Sequence, residues 1–74
     1  MAMNEAKWMR YLIDAIFVLG VTGAVPSGSK HPGPWVTAQR EAARSGRSWM
    51  NSKRQALLDE QLPGWRESQP RSHG

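Results

Sequence analysis

From Gly20 to Pro34 the chain carries four glycines, three prolines and two serines. Glycine loosens a helix, and proline removes a backbone donor from helix and ladder alike, so no regular element spans this stretch. It divides the sequence into an apolar first segment and a basic second part, and it excludes one long helix or coiled coil. The pieces on either side must be short and must fold against each other. The chain has 74 residues and no cysteine. There is thus no disulfide framework, no thiolate nucleophile and no cysteine zinc site. A chain this short buries only about 60% of the surface its unfolded form exposes, so one small core is the most it builds. Its largest anchors are four tryptophans. A deep catalytic cleft and a second domain both fall outside that limit.

Residues 4–19 read as the first helix. Asn4 is placed to cap it, with Glu5 in the first turn where the helix dipole favours an anion. Trp8, Leu12, Ala15 or Ile16, and Leu19 recur at helical spacing, and Met9, Ile13 and Phe17 widen that stripe. Gly20 is the expected end. The same stretch also resembles a signal peptide or short membrane span, because Lys7 and Arg10 precede an apolar run from Tyr11 to Val25. That run has 15 residues, against the ~20 a spanning helix needs. Asp14 interrupts it, at a cost of about 2.5–3.5 kcal/mol on insertion scales. A core helix is the stronger assignment, with a cytoplasmic location and no membrane partner as the expectation.

The second helix is expected over 34–45, with Pro34 at its first position and Gly46 just past its end. Trp35, Ala38, Gln39 and Ala42 share one side, while Arg40, Arg44 and Arg47 fall at i, i+4 and i+7 along another. The third is expected over 51–62, capped by Asn51 or Ser52, with Leu57, Leu58, Leu62 and the stem of Arg54 facing inward. Its charges oppose its dipole: Lys53 and Arg54 lie in the first turn, Asp59 and Glu60 near the end. That arrangement costs a few tenths of a kcal/mol per charge unless an anion meets the helix start, roughly as phosphates do elsewhere. Residues 66–74 contain no apolar side chain. The folded unit is therefore expected over 1–65, with an irregular loop at 20–33 and a disordered tail at 66–74.

Charge is unevenly placed. The formal net charge is +4, yet residues 30–58 alone hold six basic residues against one acid, Glu41, a net +5. Such asymmetry points to a polyanion. Catalytic chemistry is not in evidence. The two histidines, His31 in the loop and His73 in the tail, have no second ligand at metal spacing. No serine–histidine–acid set can be assembled, and Gly28, Gly33 and Gly46 do not form a phosphate loop. The chain is read as non-enzymatic, with no cofactor, no metal and no small-molecule substrate.

The ordered set Trp35-Val36-x-x-Gln39-Arg40, Gly46, Arg54, Leu57-Leu58-Asp59 and Leu62-Pro63-Gly64-Trp65 resembles the bacterial helicase-associated domain. Upstream, Trp8 and the Gly23-Ala24-Val25-Pro26 bend fit the same pattern, and the likeness covers roughly residues 8–65. It departs at Pro34, at Trp49 and at an apparent insertion between Asp59 and Pro63, and it is to a single copy with no motor beside it. The resemblance implies a three-helix module and nucleic acid as partner class.

Together these features predict a compact all-α domain whose first helix packs across a helix-turn-helix-like pair. The predicted core is Trp8, Leu12, Ile16, Trp35, Leu57, Leu58, Leu62 and Trp65, with Gln39 a structural hydrogen-bonder; Trp49 is open between core and contact. The predicted function is non-catalytic nucleic-acid binding, duplex DNA favoured. Arg40, Arg44, Arg47, Lys53 and Arg54 would meet phosphates, and Ser48, Asn51 and Gln55 would approach base edges. The alternative is a small protein-interaction adaptor or inhibitor, of phage or mobile-element type, that turns the same basic surface on an acidic protein.

Overall fold

The computed structural model describes residues 4–67, in which α1 spans Glu5–Thr22, α2 spans Gly33–Ser45 and α3 spans Ser52–Gln61. No strand occurs among the described residues. The protein is an all-α three-helix domain, as the periodicities predict.

The helix starts follow from side-chain capping. Asn4 Oδ1 accepts from the Lys7 amide at 2.9 Å, and Asn51 Oδ1 accepts from the Arg54 amide at 2.9 Å. Each satisfies a donor that the first turn leaves without a helical partner. α1 does not end at Gly20. It continues to Thr22 and stops at Gly23, whose φ of 79° lies in the left-handed region and whose amide bonds Leu19 O at 2.8 Å. A glycine inside a helix costs only about 1 kcal/mol, whereas a left-handed cap strongly prefers glycine, so the second of two available glycines ends the helix. α2 starts one residue earlier than expected, at Gly33, where Val36 N bonds Pro32 O at 3.0 Å.

Gly33 is needed for a different reason. A Cβ placed there would lie 2.6 Å from Ser27 O and 2.7 Å from Gly28 O, so the start of α2 touches the backbone of the preceding loop directly. The loop is also tied to α1. His31 Nε2 hydrogen-bonds Asp14 Oδ2 at 2.9 Å, and the His31 ring meets Tyr11 edge-on at 4.7 Å.

The core draws Trp8, Leu12 and Ala15 from α1, Trp35, Val36 and Ala42 from α2, and Leu58 from α3, with Met50, Leu62 and Trp65 closing it. Ile16 and Leu57, expected inside, are half-buried against its margin. Ala38, expected on the inner side of α2, is exposed. Ile13 and Phe17 do not widen the buried stripe of α1; they point to solvent. The reason is geometric. A neighbouring helix covers roughly 100° of a cylinder, and α1 carries more apolar surface than α2 and α3 together cover.

Trp8 sits at the junction of all three helices. Its indole Nε1 donates to Gln39 Oε1 at 2.8 Å, and Gln39 Nε2 donates to Trp35 O at 3.2 Å. Trp35 packs against Trp8 at a ring distance of 5.7 Å and a tilt of 58°. The Arg54 guanidinium stacks 4.8 Å from the Trp8 ring centre and donates to Glu5 at 2.9 Å and to Trp49 O at 3.2 Å. Arg54 is thus buried to its tip, not only along its stem.

Residues 66 and 67 belong to the folded part. Arg66 covers the Trp65 ring at 4.8 Å and pairs with Asp59, so the predicted tail begins too early; residues 68–74, including His73, lie outside the described residues.

Two glycines should respond oppositely to alanine. Gly20 lies within α1 with open space around it, so Gly20→Ala should stabilise by about 0.5–1 kcal/mol. Gly33→Ala forces backbone apart and should destabilise by roughly 1–3 kcal/mol. Thermal melts followed by circular dichroism measure both. Trp8→Ala, at about 3–5 kcal/mol, should abolish the cooperative melt.

Candidate nucleic-acid interface

The amphipathic register of α2 decides where its cations point. Trp35, Val36, Gln39 and Ala42 turn inward, which leaves Arg40 and Arg44 on the outer shoulder, four residues and about one turn apart. There they meet the segment after α3. Arg40, Ala43, Arg44, Trp65 and Arg66 line an open groove of about 140 Å³. Arg40 is half-buried and its guanidinium donates to Trp65 O at 3.3 Å. Arg44 is exposed and reaches Glu41 at 3.4 Å. Both partners of that pair are about 60% exposed (62% and 60%), so solvent screens it and it holds Arg44 only weakly.

Arg47 does not continue this row. α2 ends at Ser45, and Gly46 turns the chain with φ 74°. Arg47 instead lies with Trp49, Ser45, Glu41, Ala42 and Ala38 around a second depression on the other side of the helix. Trp49 is half-buried there, in contact with the core on one side. Lys53 is exposed in the first turn of α3. Among the described residues neither Arg47 nor Lys53 has an ion-pair partner.

Three of the expected contact residues make hydrogen bonds within the fold. Arg54 is buried against Trp8 and paired with Glu5, so its charge is not offered to phosphate. This corrects its assignment: a guanidinium that can stack on an indole and reach a carboxylate gains more there than in water. Asn51 spends its side-chain oxygen on the α3 cap. Gln55 is half-buried; its amide donates to Met50 O at 3.2 Å and its oxygen accepts from Arg66 at 3.1 Å. Its amide is therefore not presented to base edges. Ser48 is exposed in the turn between α2 and α3.

Arg66 is the cation that sequence reasoning missed. Asp59 Oδ1 accepts from Arg66 Nε at 2.8 Å and from Trp65 Nε1 at 2.9 Å, and Asp59 Oδ2 accepts from Arg66 at 3.2 Å. The Arg66 and Trp65 hydrogen bonds hold the Asp59 carboxyl below its ordinary value, with burial opposing them slightly, and Asp59 raises Arg66 in turn. The available signal was Trp65: once an indole is anchored in a core, the next residue is fixed too. Among the described residues no group of histidine and carboxylate side chains is arranged to hold a metal ion, and no helix is long and apolar enough to cross a membrane.

The Asp59 latch predicts an acid-specific loss. A depressed carboxyl contributes stability above the unfolded-chain value of about 3.9, and that contribution disappears as pH falls through the lower folded value. The difference in Tm between the native chain and Asp59→Asn should be constant from pH ~7 to ~5 and should close below pH ~4. Melts at stepped pH would reveal it.

No protein-family model, no curated protein and no solved structure matches the chain. The likeness to the helicase-associated domain rests on the order of its own residues.

Proposed function

We propose that this chain is a non-catalytic nucleic-acid-binding module that grips the backbone of duplex DNA through the outer face of α2, the following turn and the start of α3. The observation that carries this reading is the groove in which Arg40, Arg44 and Arg66 converge, with Arg47 at the depression beyond α2 and Lys53 at the start of α3 adding exposed cations that have no carboxylate partner among the described residues. Guanidinium groups on a preformed surface meet phosphate oxygens with little loss of side-chain freedom, and Arg40 is already held by the Trp65 carbonyl. Arg66 contributes less charge than its neighbours because Asp59 neutralises it. The phosphate set is then Arg40, Arg44, Arg47 and Lys53.

The described part of the molecule measures 31 × 25 × 22 Å, no longer than one helical turn of duplex at about 34 Å. With both ends of the Gln55 amide and the Asn51 oxygen already bonded within the chain, few groups are left to read bases, so binding depends on backbone charge. The order Trp35–Gln39–Arg40 to Leu62–Trp65 and its likeness to the helicase-associated domain supports the same partner class.

Four phosphate contacts imply a log–log salt slope of about −3.6 on duplex DNA. Arg44→Ala should make that slope shallower by about one unit, with affinity reduced alike on unrelated sequences. Arg54→Ala should instead lower Tm, because it removes a core partner of Trp8. Fluorescence anisotropy at ~50 and ~200 mM salt, with circular dichroism melts of both variants, separates these effects. Absence of binding to duplex, single strand and RNA at the lower salt, with capture of an acidic protein by the same face, would replace this reading with the adaptor one.

A further inference from the structure

The large apolar side chains left exposed among the described residues are Ile13, Phe17 and Val21, at 59%, 69% and 68%. All three stand on one helix at i, i+4 and i+8, so they form a single line along the outer side of α1. Nothing in the buried core requires them: Trp8, Leu12 and Ala15 already supply the inward face. Gly20 beside the line is open, which lets another backbone approach closely. Scattered surface hydrophobics are ordinary, but a continuous line on one helix marks a contact surface.

We infer that this face pairs with a second copy of the chain, α1 against α1, antiparallel about a two-fold axis at Phe17. Charge placement selects this occupant and this direction. Arg10 lies seven residues before Phe17, about 10.5 Å along the helix. An equal step beyond Phe17 reaches residue 24, just past the C-terminal end of α1 at Thr22. That end gathers the negative pole of the helix dipole, and its last turn carries no basic residue of its own. In the antiparallel pair each Arg10 is delivered to the partner helix's C-terminal end. Ile13 then faces Val21 of the second copy, Phe17 faces Phe17, and Asp14 falls beside the second copy's Gly20. A two-fold contact must be self-complementary, and this line is: apolar at its centre, with a cation at one end and a helix terminus that carries no basic residue at the other. A parallel pair would set the two Arg10 side chains against each other and leave both C-terminal ends without a cation. The inference uses residues outside the basic groove and does not depend on what that groove binds.

The chain has no cysteine, so single cysteines report the register directly. Helices in contact run about 8–10 Å apart, which brings directly opposed Cα atoms within about 6 Å, inside disulfide reach. Three exposed positions on α1 and one on α3 serve: Ile13→Cys, Phe17→Cys, Val21→Cys and, as a collision control, Ala56→Cys. Under mild oxidation Phe17→Cys should cross-link efficiently to a dimer and Ala56→Cys should not. Ile13→Cys and Val21→Cys should each cross-link poorly alone, since their own copies stand about 12 Å apart along the axis, but efficiently when mixed. Sedimentation equilibrium of the native chain should show mass rising with concentration from 8.3 kDa towards twice that value. Phe17→Asp should remain monomeric with unchanged helicity, and Arg10→Glu should weaken association. Cross-linking of Ile13→Cys to itself and Val21→Cys to itself, without a mixed product, would overturn the antiparallel register. A native chain that stays monomeric at every concentration, with Phe17→Cys no more reactive than Ala56→Cys, would overturn the dimer altogether. DNA titration of Phe17→Asp keeps the two proposals apart, because loss of the dimer leaves the salt slope per chain intact, whereas Arg44→Ala changes that slope and leaves association alone.

Discussion

The indole of Trp8 is the point on which the domain depends. It belongs to α1, donates its N–H to Gln39 of α2, packs on Trp35 of α2 and carries Arg54 of α3 on its face. One side chain therefore joins all three helices, by apolar area, a buried hydrogen bond and a cation–π contact together. In a chain with so little interior, such overlap replaces size. Each partner is itself fixed: Gln39 by the Trp35 carbonyl, Arg54 by Glu5 and the Trp49 carbonyl. Partial satisfaction would be costly at this depth, since an orphaned donor in a dry core loses its hydration without replacement. Trp35 shows the contrast. Its Nε1 is buried with no hydrogen-bond partner among the described residues, so it contributes area rather than specificity.

The same cluster shapes the outer surface. Turning Trp35, Val36, Gln39 and Ala42 inward leaves Arg40 and Arg44 outward by the helical period alone. Burying Trp65 brings its carbonyl to Arg40 and its neighbour Arg66 to Asp59. The groove is thus a by-product of closing the core, and two of its cations, Arg40 and Arg66, are held by a backbone carbonyl and a carboxylate rather than left to wander. Rigidity of that kind lowers the entropy lost when an anion is bound.

α1 illustrates the opposite outcome. Its apolar surface exceeds what two short neighbours can cover, and the excess lies in one line instead of being dispersed. The outer face of α1 and the outer face of α2 therefore differ in kind, one apolar and one cationic, although both flank the same three-tryptophan core.

Much of this was legible in the residues. Asn4 and Asn51 announce helix starts, Gly46 a helix end, and the Gly20–Pro34 stretch a break, because capping and backbone freedom are local properties. The identity of the core tryptophans also follows from size and spacing. Other features were not local. Whether α1 ends at Gly20 or Gly23 turned on which glycine could take a left-handed cap while the helix still packed. Arg54 read as one more member of a basic cluster, and only the approach of α1 to α3 placed an indole and Glu5 around its guanidinium. Arg66 read as tail until Trp65 was anchored beside Asp59. Ile13 and Phe17 had the same periodic credentials as Leu12 and Ile16, and the width of the neighbouring helices decided between them. The sequence by itself determined the number of helices, their caps and the tryptophan core, since those depend on neighbours along the chain. The tertiary structure alone decided which cations stay in water and which apolar side chains stay outside, since burial depends on what other elements bring to each face.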